Sequence, residues 1–206
     1  RKAQAMGRFT KVDTTERKQR VERQREDLER FQRQQTALIS MGNHTATIDG
    51  DVEGAIRFLT ETMAEALEVP QAGIWLLDDS GANLVLSDCY DAPSGAHFKD
   101  ERLETAHCRA YLRAQQRDRI IAADNALTDP RTTEFVDTYL APKAIGALLD
   151  AGIFMAGRLV GVICHEHKEG SRTWHSDEVS LVRSASEFLS RTLLQAEHLQ
   201  AQAALR

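Results

Sequence analysis

The densest run of chemically capable side chains in this 206-residue chain is Cys164-His165-Glu166-His167. On an extended strand, imidazoles two residues apart point to one face, where they could share a metal ion. The same alternation sends Cys164 and Glu166 to the opposite face, and nothing places a third ligand beside the histidines. Structural histidines are therefore the better reading, and no metal is expected. Cys164 reads as a small buried hydrophobe. With Cys89 and Cys108 it makes an odd set of three thiols without metal-type spacing, which points to reduced cysteines and a cytoplasmic setting. Asp150, inside an otherwise apolar run, reads as a partner for loop backbone and not as an acid–base catalyst.

These residues need elements to position them. Apolar periodicity and turn chemistry predict a helix over 51–68, strands over 72–79 and 83–90, and a helix over 104–116. A strand over 119–124, a helix over 130–140 and strands over 146–154 and 159–167 complete the order. Asp129 can cap the 130–140 helix with Pro130 in its first turn, because a carboxylate accepts free amide hydrogens and proline lacks one. Gly157-Arg158 centres a hairpin between the last two strands, and Asp79-Ser80-Gly81 turns between the first two. Ile74-Trp75-Leu76-Leu77 is apolar on both faces, so the sheet is covered on both sides. The fold class is α+β.

Two helices bracket this core. Val21, Gln24, Leu28, Phe31, Gln35 and Leu38 alternate spacings of three and four, a coiled-coil seam too narrow to bury itself within one chain. Arg25 with Glu29, Glu26 with Arg30, and Glu29 with Arg33 can pair at i,i+4 on its surface. Val179, Leu181, Val182, Ala185, Phe188, Leu189, Leu193 and Leu194 form a wider stripe, enough to cover a sheet face. Ala196, Leu199 and Ala203 thin that stripe into a connector. A homodimer through the terminal helices follows from the seams.

Charge and composition exclude several classes. Residues 1–35 hold 11 Lys or Arg against 6 Asp or Glu, while the whole chain is at -5, so the remainder carries -10. The basic run is interleaved with acids and poor in aromatics, which argues for a solvated helix face and against nucleic acid. At 42% apolar residues the chain is globular, and no run approaches the roughly 20 apolar residues of a membrane span. No membrane contact and no signal peptide are expected, and a first residue other than Met reads as an excerpt of a longer protein.

Several words in order, IWLLDDSG (74–81), DPR (129–131), YLAP (139–142), GRLVGVICHEH (157–167) and RTWHSDE (172–178), resemble the GAF family of sensory domains. The resemblance covers roughly residues 50–195. It implies a three-layer domain with a central, mainly antiparallel sheet of five to six strands. Helices would cover one face, with short helices and loops over a ligand pocket on the other. It further implies a sensory module that binds an unknown small molecule and signals to a downstream output domain, of histidine kinase or diguanylate cyclase type, with no catalysis in this fragment. Tyr90, Phe98, Tyr111, Phe135, Tyr139 and His165 are the expected ligand-contacting residues, with Trp174 among the aromatics on the pocket side. Gly152 stands where the family often has proline.

Phytochrome-like members attach a bilin through a Cys-His pair in the region matched by Arg131-Thr132-Thr133-Glu134. That segment has no cysteine, and His107-Cys108 is reversed and earlier, which argues against covalent bilin. A cyclic-nucleotide signature is missing. GAF-fold methionine sulfoxide reductases use three cysteines and a low-pKa thiolate, and they form a remote alternative. A ligand-free dimerising spacer is the nearer one. GRFTKVDTTERKQ (7–19) resembles the closing strand and exit helix of a PAS domain, and LQAQAALR (199–206) the lead-in to a further domain. The expected division is a PAS-like tail or linker over 1–15, a signalling helix over 16–48, the GAF domain over 49–195 and a connector over 196–206.

Overall fold

The chain begins with helix α1 (Lys2–Asn43), followed by α2 (Ala46–Asp49) and α3 (Val52–Leu67). In this computed structural model residues 2–205 are described, their side chains from residue 15 onward. Strands β1 (Gln71–Leu77), β2 (Asn83–Asp91), β3 (Ala96–Phe98) and β4 (Arg102–Glu104) lead to α4 (Arg109–Asp118) and β5 (Ile120–Ala123). After a long crossing segment come β6 (Ile145–Met155), β7 (Arg158–Lys168) and α5 (Ser176–Ala204). The sheet runs β3-β2-β1-β7-β6-β5, with β4 also on β2, and every pairing is antiparallel. It has seven strands where five to six are expected. The additions, β3 and β4, are three residues each, too short to carry an alternation signal.

Alternation along the central strands splits the interior into two cores. Ala72 and Ile74 of β1, Ala147, Leu149, Ala151 and Ile153 of β6, and Ile163 of β7 face the helices. Against them α3 sets Ile56, Leu59 and Met63, and α5 sets Leu181, Val182, Ala185, Phe188 and Leu189, each at helical spacing. Asp51 starts α3 by accepting the Gly54 amide at 2.9 Å. Trp75, Leu148, Val162 and Cys164 face the other way, toward α4 and the crossing segment.

The RTWHSDE word has a mechanical role. Arg172 donates to the Leu67 carbonyl and to Glu178, each at 2.6 Å, and lies 4.4 Å from the Trp174 ring centre. Glu178 also accepts the His175 amide at 2.8 Å, closing a capping box at the start of α5. The end of α3, the β7–α5 loop and the first turn of α5 are thereby tied together. Trp174 lies in the helix-side core and donates to the Ala123 carbonyl, away from the pocket side where it was expected.

Residues 130–140 do not form the expected regular helix. They form a 3-10 turn (Thr133–Phe135) and a π turn (Val136–Leu140). Asp129 accepts the Arg131 amide at 2.9 Å and pairs with its guanidinium at 2.6 Å, so the carboxylate holds its own loop instead of capping a helix. The 104–116 helix begins only at Arg109, after a 3-10 turn at Thr105–His107.

On α1, Gln34, Ala37 and Met41 enter the core, whereas Val21, Leu28 and Phe31 are exposed by 56, 56 and 55%. The seam thus faces away from the globule. Arg25 pairs with Glu29 as expected, but Arg30 pairs with Asp27 and Asp177, and Arg33 with Glu68, linking α1 to α5 and to the end of α3. Residues 7–15 continue α1, so the strand implied by the PAS-like tail is not formed. On α5, Ala196 and Leu199 still pack on Gly50, so the helix keeps contact with the globule past the expected boundary at 195.

The β6–β7 turn is Ala156-Gly157, with φ of 47° and 79°. Both central residues are left-handed, the geometry of the tight hairpin turn that prefers Asn-Gly. Ala156→Asn is expected to raise stability by about 0.5 kcal/mol, since asparagine tolerates this conformation better than alanine. Urea unfolding monitored by tryptophan fluorescence checks it, and a lower midpoint contradicts it.

Candidate functional site

The pocket-side core contains a small cavity floored by β6 and β7 and covered by α4 and the 133–140 turns. Asp150, Cys164 and Glu166 come from the strands, Tyr111 from α4, and Phe135 and Tyr139 from the cover. Trp75, Leu84, Leu103, Leu140, Leu148 and Val162 complete the lining. Its volume is about 40 Å³, enough for water but far below the roughly 300 Å³ of a metabolite site. Aromatic rings crowd it: Tyr111 meets Phe135 edge-on at 4.9 Å, and Tyr139 meets Trp75 at 6.2 Å.

Two hydrogen bonds join the cover to the carboxyls. The Tyr111 hydroxyl donates to Asp150 Oδ2 at 2.6 Å, and the Tyr139 hydroxyl donates to Glu166 Oε1 at 2.8 Å. Gln115 Nε2 donates to the Tyr111 oxygen at 3.2 Å. Asp150 therefore bonds a phenol and not the loop backbone expected from its place in the strand. Its Oδ1 makes no well-formed hydrogen bond, and Gln115 Oε1 is likewise buried without a partner. The Cys164 thiol and the His165 amide flank the Asp150 carboxyl and favour its charged form.

Burial dominates the electrostatics. It pushes Asp150 up to about 7, outweighing the Tyr111 hydrogen bond, with Glu166 raising it further. Burial also raises Glu166, while its bond from Tyr139 and the charges of Lys143 and Lys168 pull the other way. The Tyr111 and Tyr139 hydroxyls lie well above the ordinary phenol range, first through burial and then through the adjacent carboxylates. Cys164 is raised well above the thiol range by burial, Cys89 to about 12 and Cys108 to about 11. All three shifts run opposite to what a thiolate nucleophile needs.

The expected ligand contacts separate into two groups. Tyr111, Phe135 and Tyr139 line the cavity. Tyr90 packs against the helix-side core and His97, Phe98 is 52% exposed, and His165 points to the helix side. His165 Nδ1 donates to the Leu149 carbonyl at 2.7 Å, and burial lowers its imidazole to about 4. His165 and His167 do share a face, away from Cys164 and Glu166. Among the described residues no group of three or more His, Cys, Asp or Glu is placed to hold a metal ion.

Three functional candidates were missed. Asp150 reads from the sequence as a backbone partner although a lone acid in an apolar strand is a visible signal, and Glu166 is placed there only by its strand face. Glu134 accepts the Ala110 and Tyr111 amides at 2.8 and 3.1 Å, fastening the cover to the first turn of α4. Nothing in its local spacing indicated that contact.

A GAF domain sequence profile matches residues 51–193, and the chain belongs to the GAF family. No curated protein matches it. Among solved structures it is similar to the GAF domain from an Acinetobacter phosphoenolpyruvate-protein phosphotransferase, at 15% identity and a TM-score of 0.62, covering 82% of this chain and 94% of that one. The Stigmatella aurantiaca phytochrome photosensory core module aligns at 13% identity and 0.66, over 83% of this chain and 37% of that one. Free methionine-R-sulfoxide reductase from Neisseria meningitidis, in complex with its substrate, aligns at 12% and 0.60, over 81% and 89%. At these identities the likeness is one of fold. Among the described residues no helix is long and apolar enough to cross a membrane.

Asp150 also makes stability depend on pH. A carboxyl raised from 3.8 to about 7 on folding binds more protons folded than unfolded between those values, so its contribution falls as pH rises through them. His165, lowered from 6.5 to about 4, acts in the opposite sense, because the unfolded chain binds the extra proton. Comparison with Asp150→Asn isolates the first effect. At pH near 8 the variant is expected to be more stable than the parent by about 1–4 kcal/mol, with the gap closing toward pH 4. Denaturant titrations at both pH values check it, and a pH-independent difference contradicts it.

Proposed function

We propose that this chain is the sensory or regulatory module of a signal-transduction protein. In this reading a small molecule enters the pocket side, and helices paired in a homodimer carry the change to an output domain in the same protein. The observation that carries it is the outer face of α1. Val21, Leu28 and Phe31 are each more than half exposed at coiled-coil spacing, while the other face of the same helix is anchored by Ala37 and Met41 in the core. A movement of that core would shift a helix whose remaining surface is suited to a second copy.

The ligand has an effect only through unequal affinity for two helix arrangements. The cavity holds only about 40 Å³, so occupancy by a metabolite requires the 133–140 cover to move, and the bonds from Tyr139 to Glu166 and from the α4 amides to Glu134 are what such movement would disturb. A second reading is a ligand-free dimerising spacer, favoured by the 40 Å³ volume. A methionine sulfoxide reductase reading draws no support from thiols that burial holds in the neutral form.

Leu28→Glu with Phe31→Glu places acids in the seam while leaving the core untouched. Light scattering of the receptor containing this chain is expected to give a dimer for the parent and at least tenfold weaker association for the variant, with unchanged helical circular dichroism. A parent that is monomeric at high concentration, or a variant that dimerises equally well, removes the helical relay.

A further inference from the structure

The cavity is one-sided in charge and in hydrogen bonding. Asp150 and Glu166 both line it, and among the described residues no Lys or Arg does. Its hydroxyl donors, Tyr111 and Tyr139, are already committed to the two carboxyls. Asp150 is 3% exposed, and its Oδ1 makes no well-formed hydrogen bond, with only the Cys164 thiol and the His165 amide flanking the carboxyl beyond Tyr111. Behind Tyr111, Gln115 Oε1 is a second unpartnered acceptor. Lys143, a charge felt by Glu166, is held outside by Glu101 at 2.8 Å and lies 4.1 Å from the Tyr139 ring centre. Two buried carboxyls with no cation beside them are costly to ionise, and a ligand that supplies the positive charge lowers that cost. Aromatic faces add attraction for positive charge, and four rings, of Trp75, Tyr111, Phe135 and Tyr139, line the space.

Resting on the sensory reading above, we propose that the ligand is a small organic monocation bearing N–H donors, a primary ammonium or guanidinium compound, held by Asp150 and Glu166 under the aromatic cover. Its N–H groups meet Asp150 Oδ1 and compete with the Tyr139 hydroxyl for Glu166. Loss of that hydroxyl bond frees the cover, since Tyr139 is its hydrogen-bonded attachment to the floor. Without ligand, a proton takes the place of the cation on Asp150. The groups around that carboxyl are Tyr111 of α4 and Cys164 and Glu166 of β7, all of them neutral or acidic. Cation binding therefore displaces a proton and tightens as pH rises through about 7.

The test is isothermal titration of this chain with methylammonium and guanidinium chlorides. Acetamide serves as the neutral control, acetate as the anion, and tetramethylammonium as a cation without N–H donors. Saturable binding of methylammonium or guanidinium is expected, with release of a proton near pH 6 and at least about tenfold weaker binding by Asp150→Asn and by Glu166→Gln. Both variants keep the shape of the side chain, and circular dichroism verifies their fold. Equal or tighter binding of acetamide, acetate or tetramethylammonium overturns the proposal. So does the absence of saturation by either N–H cation up to about 10 mM, or undiminished binding in both variants. Native mass spectrometry of the protein from its own cells separates the two levels of failure. A retained neutral or anionic molecule overturns the cation and leaves the sensory reading standing, whereas an unliganded mass together with no titration signal overturns both.

Discussion

Strand alternation in the β6–β7 hairpin is the constraint on which the rest depends. The central residues of both strands are buried on both faces, so each of these is committed to one of two cores, and neighbours in sequence serve different ends. Asp150 faces the cavity and Leu149 the helices; Glu166 faces the cavity and His165 the helices. A slip of one residue would exchange every member of these pairs. The register holds because Gly161 comes so close to the β1 backbone that a side chain there would collide with the Trp75 carbonyl.

From this division the two halves of the domain acquire different physics. The helix side is a conventional apolar core, sealed by the Arg172 cluster and connected to α1 and α5. The other side accepts two carboxyls into an aromatic enclosure with two phenolic hydroxyls bonded to them. Such a site is held in place by packing and not by charge pairing, and its preferred proton count changes whenever its occupant changes. The cover over it lacks regular helical bonding, so its attachment rests on a few named contacts, from Tyr139 and Glu134.

The sequence made the long-period features legible. The helix-side stripe of α5, the strands around Trp75 and Cys164, and the exposed seam of α1 follow from apolar spacing that the whole element repeats. The GAF fold followed from words that lie at the ends of those elements. What stayed hidden is short or non-local. Strands β3 and β4 have too few residues to show a period, and the DPR word proved to be a self-contained loop. Family order places Tyr90, Phe98 and His165 with the pocket because it cannot tell which sheet face a residue takes. Asp150 and Glu166 gained their importance only when Tyr111 and Tyr139, distant in sequence, were brought onto them.

Asp150 is a buried carboxyl bonded by the Tyr111 hydroxyl, with no Lys or Arg among the described residues that line its cavity. Infrared difference spectroscopy as a function of pH, with ¹³C-labelled aspartate to assign the band, reads its protonation state directly. The carbonyl stretch of a buried carboxylic acid is expected to persist above the ordinary carboxylate range, to disappear near pH 7 and to be absent in Asp150→Asn. A carboxylate already ionised at about pH 4, the ordinary range, would contradict it.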